Sequence, residues 1–308
     1  MGISSKKFEL IHGIINTPGN VLTVKELCFI AGVSRSGYYN WIKAADKREE
    51  REQKDRRDFE LILEAYRHRG YDKGAKGIHM RLLHVGIVMN VKKIRRLMKK
   101  YNLRCPIRKA NPYKQLARDM KTSHIADNLL QRQFMEYGPR AVLLTDITYI
   151  PLNGKFIYLS TVLDAGTKQI LAYELSQSLE VDFVLETIKH LIRDHGISLD
   201  SRTLIHSDQG CHYTSTSFIE LINSFELRQS MSRRGNCWDN APQESFFGHM
   251  KQEVSFKGLN TFEEIKTVID DWMDYYNNDR YQWKLSKLSP NEYYNYITTG
   301  IYPLPCAA

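Results

Sequence analysis

Apolar positions change their rhythm once along the chain. In the front part they recur every three to four residues, the period of helices. Beyond residue 137, runs of β-formers alternate with helix-period stretches. In the front part, "TVKELCFIAGVSRSGYYNWIK" (Thr23 to Lys43) predicts two short helices about a glycine turn, with Thr23 and Ser34 as N-caps. Leu27, Cys28, Ile30 and Ala31 are expected inside, Gly32 at the turn, and Arg35, Ser36, Tyr39 and Asn40 outside. This is the spacing of a helix-turn-helix, whose second helix enters the DNA major groove. A plain helical hairpin has the same pattern.

Residues 46–70 predict a highly charged helix of mixed sign. "GAKGIHMRLLHVGIVMNVKKIRRLMKKYNLR" (Gly74 to Arg104) predicts a second helix-turn-helix, with Gly86 in the turn and Asn90 as N-cap. Val91, Ile94, Leu97, Met98 and Tyr101 form its apolar stripe. Lys92, Lys93, Arg95, Arg96, Lys99 and Lys100 fill the other faces, with no acid among them. Residues 105–137 predict a connector with one helical stretch from Ile125 to Glu136, punctuated by Pro106, Pro112 and Gly138-Pro139.

The rear part opens with three strands, Ala141 to Leu152, Lys155 to Ala165 and Lys168 to Ser176, the first pair joined at Asn153-Gly154. A helix from Val181 follows, closed by Gly196. Then come a buried strand (Thr203 to Asp208), a helix (Thr214 to Leu227), a strand (Arg228 to Ser232) and a helix opening near Pro242. Two more helices lie at Thr261 to Asp279 and near Asn291. The order β-β-β-α-β-α-β-α is that of a ribonuclease H-like core, an α/β fold with a mixed five-stranded sheet. The expected domains are 1–45 (helix-turn-helix), 46–110 (second basic helical domain), 111–137 (connector) and 138–300 (catalytic core with C-terminal helices).

Charge sharpens this division. The chain of 308 residues has a formal net charge of +9. Residues 1–120 hold 27 Lys and Arg against 12 Asp and Glu, and the remainder holds 17 against 23. The front is suited to a polyanion, nucleic acid first. No apolar run reaches the length of a membrane span, and no signal segment follows Met1, so the expected location is the cytoplasm. The five cysteines are scattered without a C-x-x-C pair, which indicates neither a zinc site nor a disulfide framework.

The acidic rear part offers three carboxylates that the fold would bring together. Asp146 lies mid-strand in "LLTDITYI", where a charge is costly unless paired, exposed or metal-bound. Asp208 ends the strand "TLIHSD", at the sheet edge where open α/β sheets bind ligands. Glu244 lies in the first turn of a late helix, in "DNAPQESFFGHMKQE", with Asp239 or Asn240 as its cap and Lys251 two turns further on the same face. The Asp146 strand is expected at the centre, the Asp208 strand beside it, and the Glu244 helix across one face. Three clustered carboxylates repel one another, and hard divalent cations such as Mg²⁺ or Mn²⁺ resolve that repulsion. His206 shares the Asp208 strand face and either assists there or is satisfied structurally. Asp164 at a turn, and Asp182 and Glu186 on a helix face, compete poorly for the role.

"TDITYI", "HSDQGCHYTS" and "DNAPQESFFGHMKQE" together resemble the acidic motifs of the bacterial IS-three insertion-sequence transposases, in particular their second-frame (OrfB) subunit with its retroviral-integrase-like core. The 35 residues between Asp208 and Glu244, Lys251 seven positions after Glu244, and "YYNNDRYQWKLSKLSPNEYY" are similar to the family pattern, as are "GVSRSGYYNW" and "NVKKIRRLMKKYNL". The chain departs from that pattern at Leu143, Cys211, His212 and Gln282, and none of these removes a carboxylate.

The resemblance implies that Asp146, Asp208 and Glu244 hold two Mg²⁺ or Mn²⁺ ions and that Lys251 reaches a DNA phosphate. It implies cutting at terminal inverted repeats, joining to a target by a copy-out route, self-association on DNA, nucleoid association when active, and a first-frame partner, OrfA, or an OrfAB fusion. The start at Met1 is expected of the second-frame product. Two other readings share some of these features: a non-catalytic DNA-binding regulator that keeps the core, and a ribonuclease H acting on RNA–DNA hybrids.

Overall fold

The computed structural model describes residues 3–70, 73–105, 138–208, 210–231 and 241–305. The helical stretch expected at 125–136, the capping residues Asp239 and Asn240, and Cys237 and Cys306 lie outside the described residues. The chain forms two compact units, Met1–Leu63 and Glu64–Ala308.

The first unit is helical: α1 (Ile3–Ile15), α2 (Val24–Ala31), α3 (Arg35–Lys43) and most of α4 (Ala45–Arg67). Thr23 and Glu26 form a reciprocal capping box at α2, Gly32 ends it at φ 61°, and Ser34 caps α3. Ile11, Leu27, Cys28 and Tyr38 form the core, with Phe8 and Trp41 against it. Arg35, Ser36, Tyr39 and Asn40 are exposed as expected. Ile30 is not buried: it is 69% exposed, and Phe29 beside it 87%. In a helix of two turns, the one-sided core of α1 and α3 buries Leu27 and Cys28 and takes Val24 and Ala31 in part, so the stripe is narrower than the run of apolar letters.

The second unit begins with α5 (Ala75–His84) and α6 (Val91–Lys100). The Asn90 side chain accepts from the Lys92 N–H, Gly86 turns at φ 77°, and Ile94, Leu97 and Met98 are buried. Lys92, Arg95, Arg96, Lys99 and Lys100 are exposed and Lys93 is half-buried. Then comes the sheet: β1 (Val142–Leu152), β2 (Lys155–Asp164), β3 (Ile170–Ser176), β4 (Leu204–Ser207) and β5 (Arg228–Met231), in the order β3-β2-β1-β4-β5. The β1–β2 and β2–β3 pairs are antiparallel, and β4 runs parallel to both β1 and β5. Helices α7 (Asp182–His195), α8 (Thr216–Ser224), α9 (Ala241–Glu253), α10 (Phe262–Asn278) and α11 (Pro290–Thr299) complete it.

Strand alternation splits the core into two layers. Leu143, Val162 and Ile205 pack against α7 and α8 through Phe183, Val184, Ile188, Phe218 and Ile222. Val142, Leu144 and Ile150 face α9 and α10, meeting Phe246, Met250, Ile269 and Trp272. Gly196 does not cap α7 in the left-handed conformation. Its φ is −51°, and the chain continues into a 3₁₀ turn over Gly196–Ser198. Asp164 is fully buried and structural: it pairs with the Arg140 guanidinium at 2.7 Å and accepts from the Gly166 N–H at 2.8 Å.

Candidate active site

β1 is the central strand and carries Asp146 at its middle. Leu144 of β1 pairs with His206 of β4 in parallel register. Extending that register by two residues sets Asp208, one residue past the end of β4, level with Asp146. Asp146 has the parity of Val142 and Leu144, so its side chain belongs to the face covered by α9, the helix that presents Glu244 in its first turn. Three separate segments therefore place the three acids on one face of the sheet, beside the junction of β1 and β4.

The three acids feel one another's charge. The Asp146 carboxyl is pushed up to about 7, chiefly by burial, then by the charges of Asp208 and Glu244. Its own Ile147 N–H, donating to Oδ1 at 2.8 Å, and the Lys251 ammonium pull the other way. Partial burial lowers Lys251, and the Asp146 charge raises it again, so this lysine lies within the field of the acids rather than apart from them. Among the described residues no group of three His, Cys, Asp or Glu stands close enough to hold an ion as it is. The acids are coupled through charge.

Several neighbours set these groups in place. The Gly210 N–H donates to Asp208 Oδ1 at 2.8 Å, and a Cβ at position 210 would stand 2.9 Å from that oxygen. Only glycine leaves this carboxylate undisturbed. On α9, Gln243 is fully buried and its Nε2 donates to Thr161 Oγ1. Thr161 is the cross-strand partner of Asp146, so this bond ties the start of the Glu244 helix to the strand directly beside Asp146. At the other end of α9, Arg280 donates to both oxygens of Glu253, at 2.7 to 3.1 Å, in a pair almost closed to solvent. Behind the site, on the opposite face, buried Tyr213 approaches Thr145 Oγ1 at 3.4 Å; burial and then the Asp146 charge hold its hydroxyl well above the usual tyrosine range.

His206 is buried and its Nδ1 meets Ser230 Oγ at 3.1 Å, a contact between β4 and β5. Asp182 and Glu186 are exposed on α7. Arg35 is in the first unit; Lys92, Lys93, Arg95, Arg96, Lys99 and Lys100 are on α6, a separate element from the acids. The tie through Gln243 is the feature that the sequence hid: a glutamine beside a helix-start glutamate reads as surface. The only hint was the apolar Phe246-Phe247 pair that follows and forces one side of the first turn inward.

Integrase core domain models match residues 136–237 and 226–290, and an HTH-like domain model matches residues 52–111. An uncharacterized transposase-like protein of Haemophilus influenzae is 36% identical over 67% of this chain and 94% of its own length. The putative transposase InsK for insertion sequence element IS150 of Escherichia coli is 29% identical over 92% of this chain and 97% of its own. The HTLV-2 integrase catalytic core domain, solved in complex with magnesium, is a distant likeness: 14% identity and a TM-score of 0.39, over 51% of this chain and 97% of that one. The chain belongs to the IS-three family of insertion-sequence transposases, DNA-cutting and DNA-joining enzymes built on an integrase core.

Proposed function

We propose that Asp146, Asp208 and Glu244 are the ligands of two Mg²⁺ or Mn²⁺ ions and that this site performs both strand cutting and strand joining at the ends of an insertion sequence. The observation that carries the reading is the register that sets Asp208 level with Asp146 on the face covered by the Glu244 helix; burial and two neighbouring acids, which raise the Asp146 carboxyl, leave this place short of positive charge. The donors are all carboxylate oxygens, the ligand type of hard divalent cations. When bound, such ions activate the attacking oxygen and stabilise the leaving one in an in-line displacement at phosphorus.

The chain's own residues supply the rest. Asp146 and Asp208 are fixed by backbone N–H groups at Ile147 and Gly210, which orient each carboxylate before any cation arrives. Glu244 is carried in by a helix anchored at both ends, by Gln243 and by Glu253. Lys251 adds a cation where the rear part is acidic, and engages a phosphate of the scissile strand. In the first step water attacks the phosphodiester at the element end and leaves a 3′-OH. In the second that 3′-OH attacks another phosphodiester, forming a new P–O bond while that phosphodiester's 3′ oxygen leaves as a free 3′-OH.

The basic faces of α3 and α6, through Arg35 and through Lys92, Lys93, Arg95, Arg96, Lys99 and Lys100, hold terminal and target DNA. The divisions at 45, 110 and 137, self-association on the DNA, and a first-frame OrfA partner or OrfAB fusion belong to the same reading. The test is cleavage of a terminal-repeat duplex and of an RNA–DNA hybrid, with Mg²⁺ and with EDTA. Metal-dependent nicking of the duplex end is expected. Cleavage of the hybrid alone would make the protein a ribonuclease H-type enzyme, and binding without cleavage would make it a regulator.

A further inference from the structure

Outside the carboxylate site, one surface cluster stands out in an otherwise acidic rear part. Trp283 is 45% exposed. The Lys76 ammonium of α5 stands 5.0 Å from its ring centroid and the Lys287 ammonium 5.5 Å. Lys284 is exposed beside it. Among the described residues, Lys76, Lys284 and Lys287 form no ion pair with any acid. Each ammonium is held to the indole only by a cation–π attraction worth about 0.5–1 kcal/mol at an exposed site, so both stay available to an anion.

The segment is held in this form from beneath. Leu285 and Leu288 are buried, and Leu288 packs with Leu83 of α5 and Leu304. The Gln282 N–H donates to the Leu288 carbonyl at 2.9 Å, and the Lys287 N–H to the Gln282 carbonyl at 3.1 Å. Ser286 and Lys287 both take positive φ, 55° and 68°, a conformation that costs roughly 1–2 kcal/mol per non-glycine residue. Apolar residues thus point in, while an indole and lysines point out. One lysine comes from the HTH-like region and the others from the C-terminal signature, and both regions belong to the same compact unit.

We propose that Trp283, Lys76 and Lys287 form a contact point for a DNA strand, with a phosphate held between the lysines and the indole laid against the adjoining sugar or an unstacked base. A phosphate supplies the counter-charge that no acid among the described residues gives these lysines, and an exposed indole provides the stacking platform that proteins use on single strands. The inference rests on the DNA-transposase reading and adds to it a site on neither helix-turn-helix recognition face.

The test is anisotropy titration of the full chain with a labelled terminal-repeat duplex, and with its single strand, over a range of salt. The variants are Lys76→Gln with Lys287→Gln, and separately Trp283→Leu; far-UV circular dichroism checks their folding. The lysine pair is expected to weaken duplex binding several-fold and to flatten the log–log salt slope by about 0.9, the worth of one phosphate contact. Trp283→Leu should weaken binding about 5- to 100-fold, the range of one stacked group, with the slope unchanged. A larger loss on the single strand assigns the indole to a base, and equal losses assign it to a sugar. Wild-type affinity and slope in the folded lysine pair would overturn the site while leaving the transposase reading standing. Failure of the wild-type protein to bind either DNA would overturn both.

Discussion

Asp146 links function to stability. An aspartate of ordinary value 3.8, pushed up to about 7 in the folded chain, holds its proton more tightly folded than unfolded. Below the lower value both states are protonated and the group has no effect. Between about 4 and 7 the unfolded state ionises first, so the metal-free protein loses stability as pH rises, and the loss is complete above the folded value. Asp146→Asn removes that penalty. In EDTA, its melting temperature should exceed that of the wild type at pH 8 and match it near pH 4. A wild-type advantage at pH 8 would mean that Asp146 is stabilised by its surroundings and is not a strained ligand. Gly210→Ala probes the second aspartate: a Cβ 2.9 Å from Asp208 Oδ1 displaces the carboxylate, not the backbone. Nicking should fall at least ~10²-fold, the scale of losing one preorganised electrostatic group, with a melting temperature near that of the wild type. Full activity in Gly210→Ala would show that the Asp208 orientation is not critical. What was legible in the sequence is where each acid stands in its element, mid-strand for Asp146, just past a strand end for Asp208 and in a first helical turn for Glu244, because β-former runs and turn residues mark those elements.

At the scale of elements, α9 is the part whose placement decides the site, and it is fixed at both ends by side chains. Gln243 ties its start to β2, and Arg280 holds Glu253 at its close. Removing Gln243 by substitution with leucine leaves the Thr161 hydroxyl without that donor, at a cost of about 1–3 kcal/mol, and lets the first turn shift. Urea melts should register that cost, and nicking should fall more than the remaining folded fraction explains; activity proportional to folded protein would make the bond structural only. Breaking the enclosed pair by Arg280→Leu should cost about 3–5 kcal/mol, since it strands the Glu253 charge. A loss below 1 kcal/mol in the same melts would show that the carboxylate finds water instead. These ties join residues far apart in the chain, so periodicity carries no sign of them. The order of strands and helices was legible because each strand is bounded by turn residues. Short α2 was not read correctly at Ile30, since two turns of helix do not define which apolar residues face inward.

For the whole molecule, the compact units revise where the chain can be cut. The basic front part is not one detachable module: α5 belongs with the sheet. His84 of α5 stacks on Tyr281 at 3.5 Å and meets Glu292 at 3.0 Å, Arg81 donates to the Tyr281 hydroxyl at 3.1 Å, and Leu83 is buried with Leu288 and Leu304. A chain starting at Glu64 should melt cooperatively and bind terminal DNA more weakly with a lower salt slope, because α3 and the lysines and arginines before it are gone. A chain starting at Gly138 should be less stable by several kcal/mol, since it uncovers Leu288 and strands Glu292 and Asp279. Equal stability of the two would place α5 outside the folded core. Charge counting gathers residues 1–120 into one basic front because it counts cations without regard to what they touch. Arg69, paired with Asp279 at 3.4 Å, and Arg81 serve the acidic C-terminal helices and not only a polyanion.

The central claim is that three carboxylates from β1, the end of β4 and α9 form one metal-dependent site for both steps. Its most direct measurement is a single-turnover assay of Mg²⁺-dependent nicking and of joining from a pre-cut end, run on the wild type and on Asp146→Asn, Asp208→Asn and Glu244→Gln, with end binding measured alongside. Each variant is expected to bind ends as the wild type does and to lose both steps by at least ~10²-fold. A variant that nicks at near the wild-type rate, or that loses cutting but keeps joining, would contradict a single shared site.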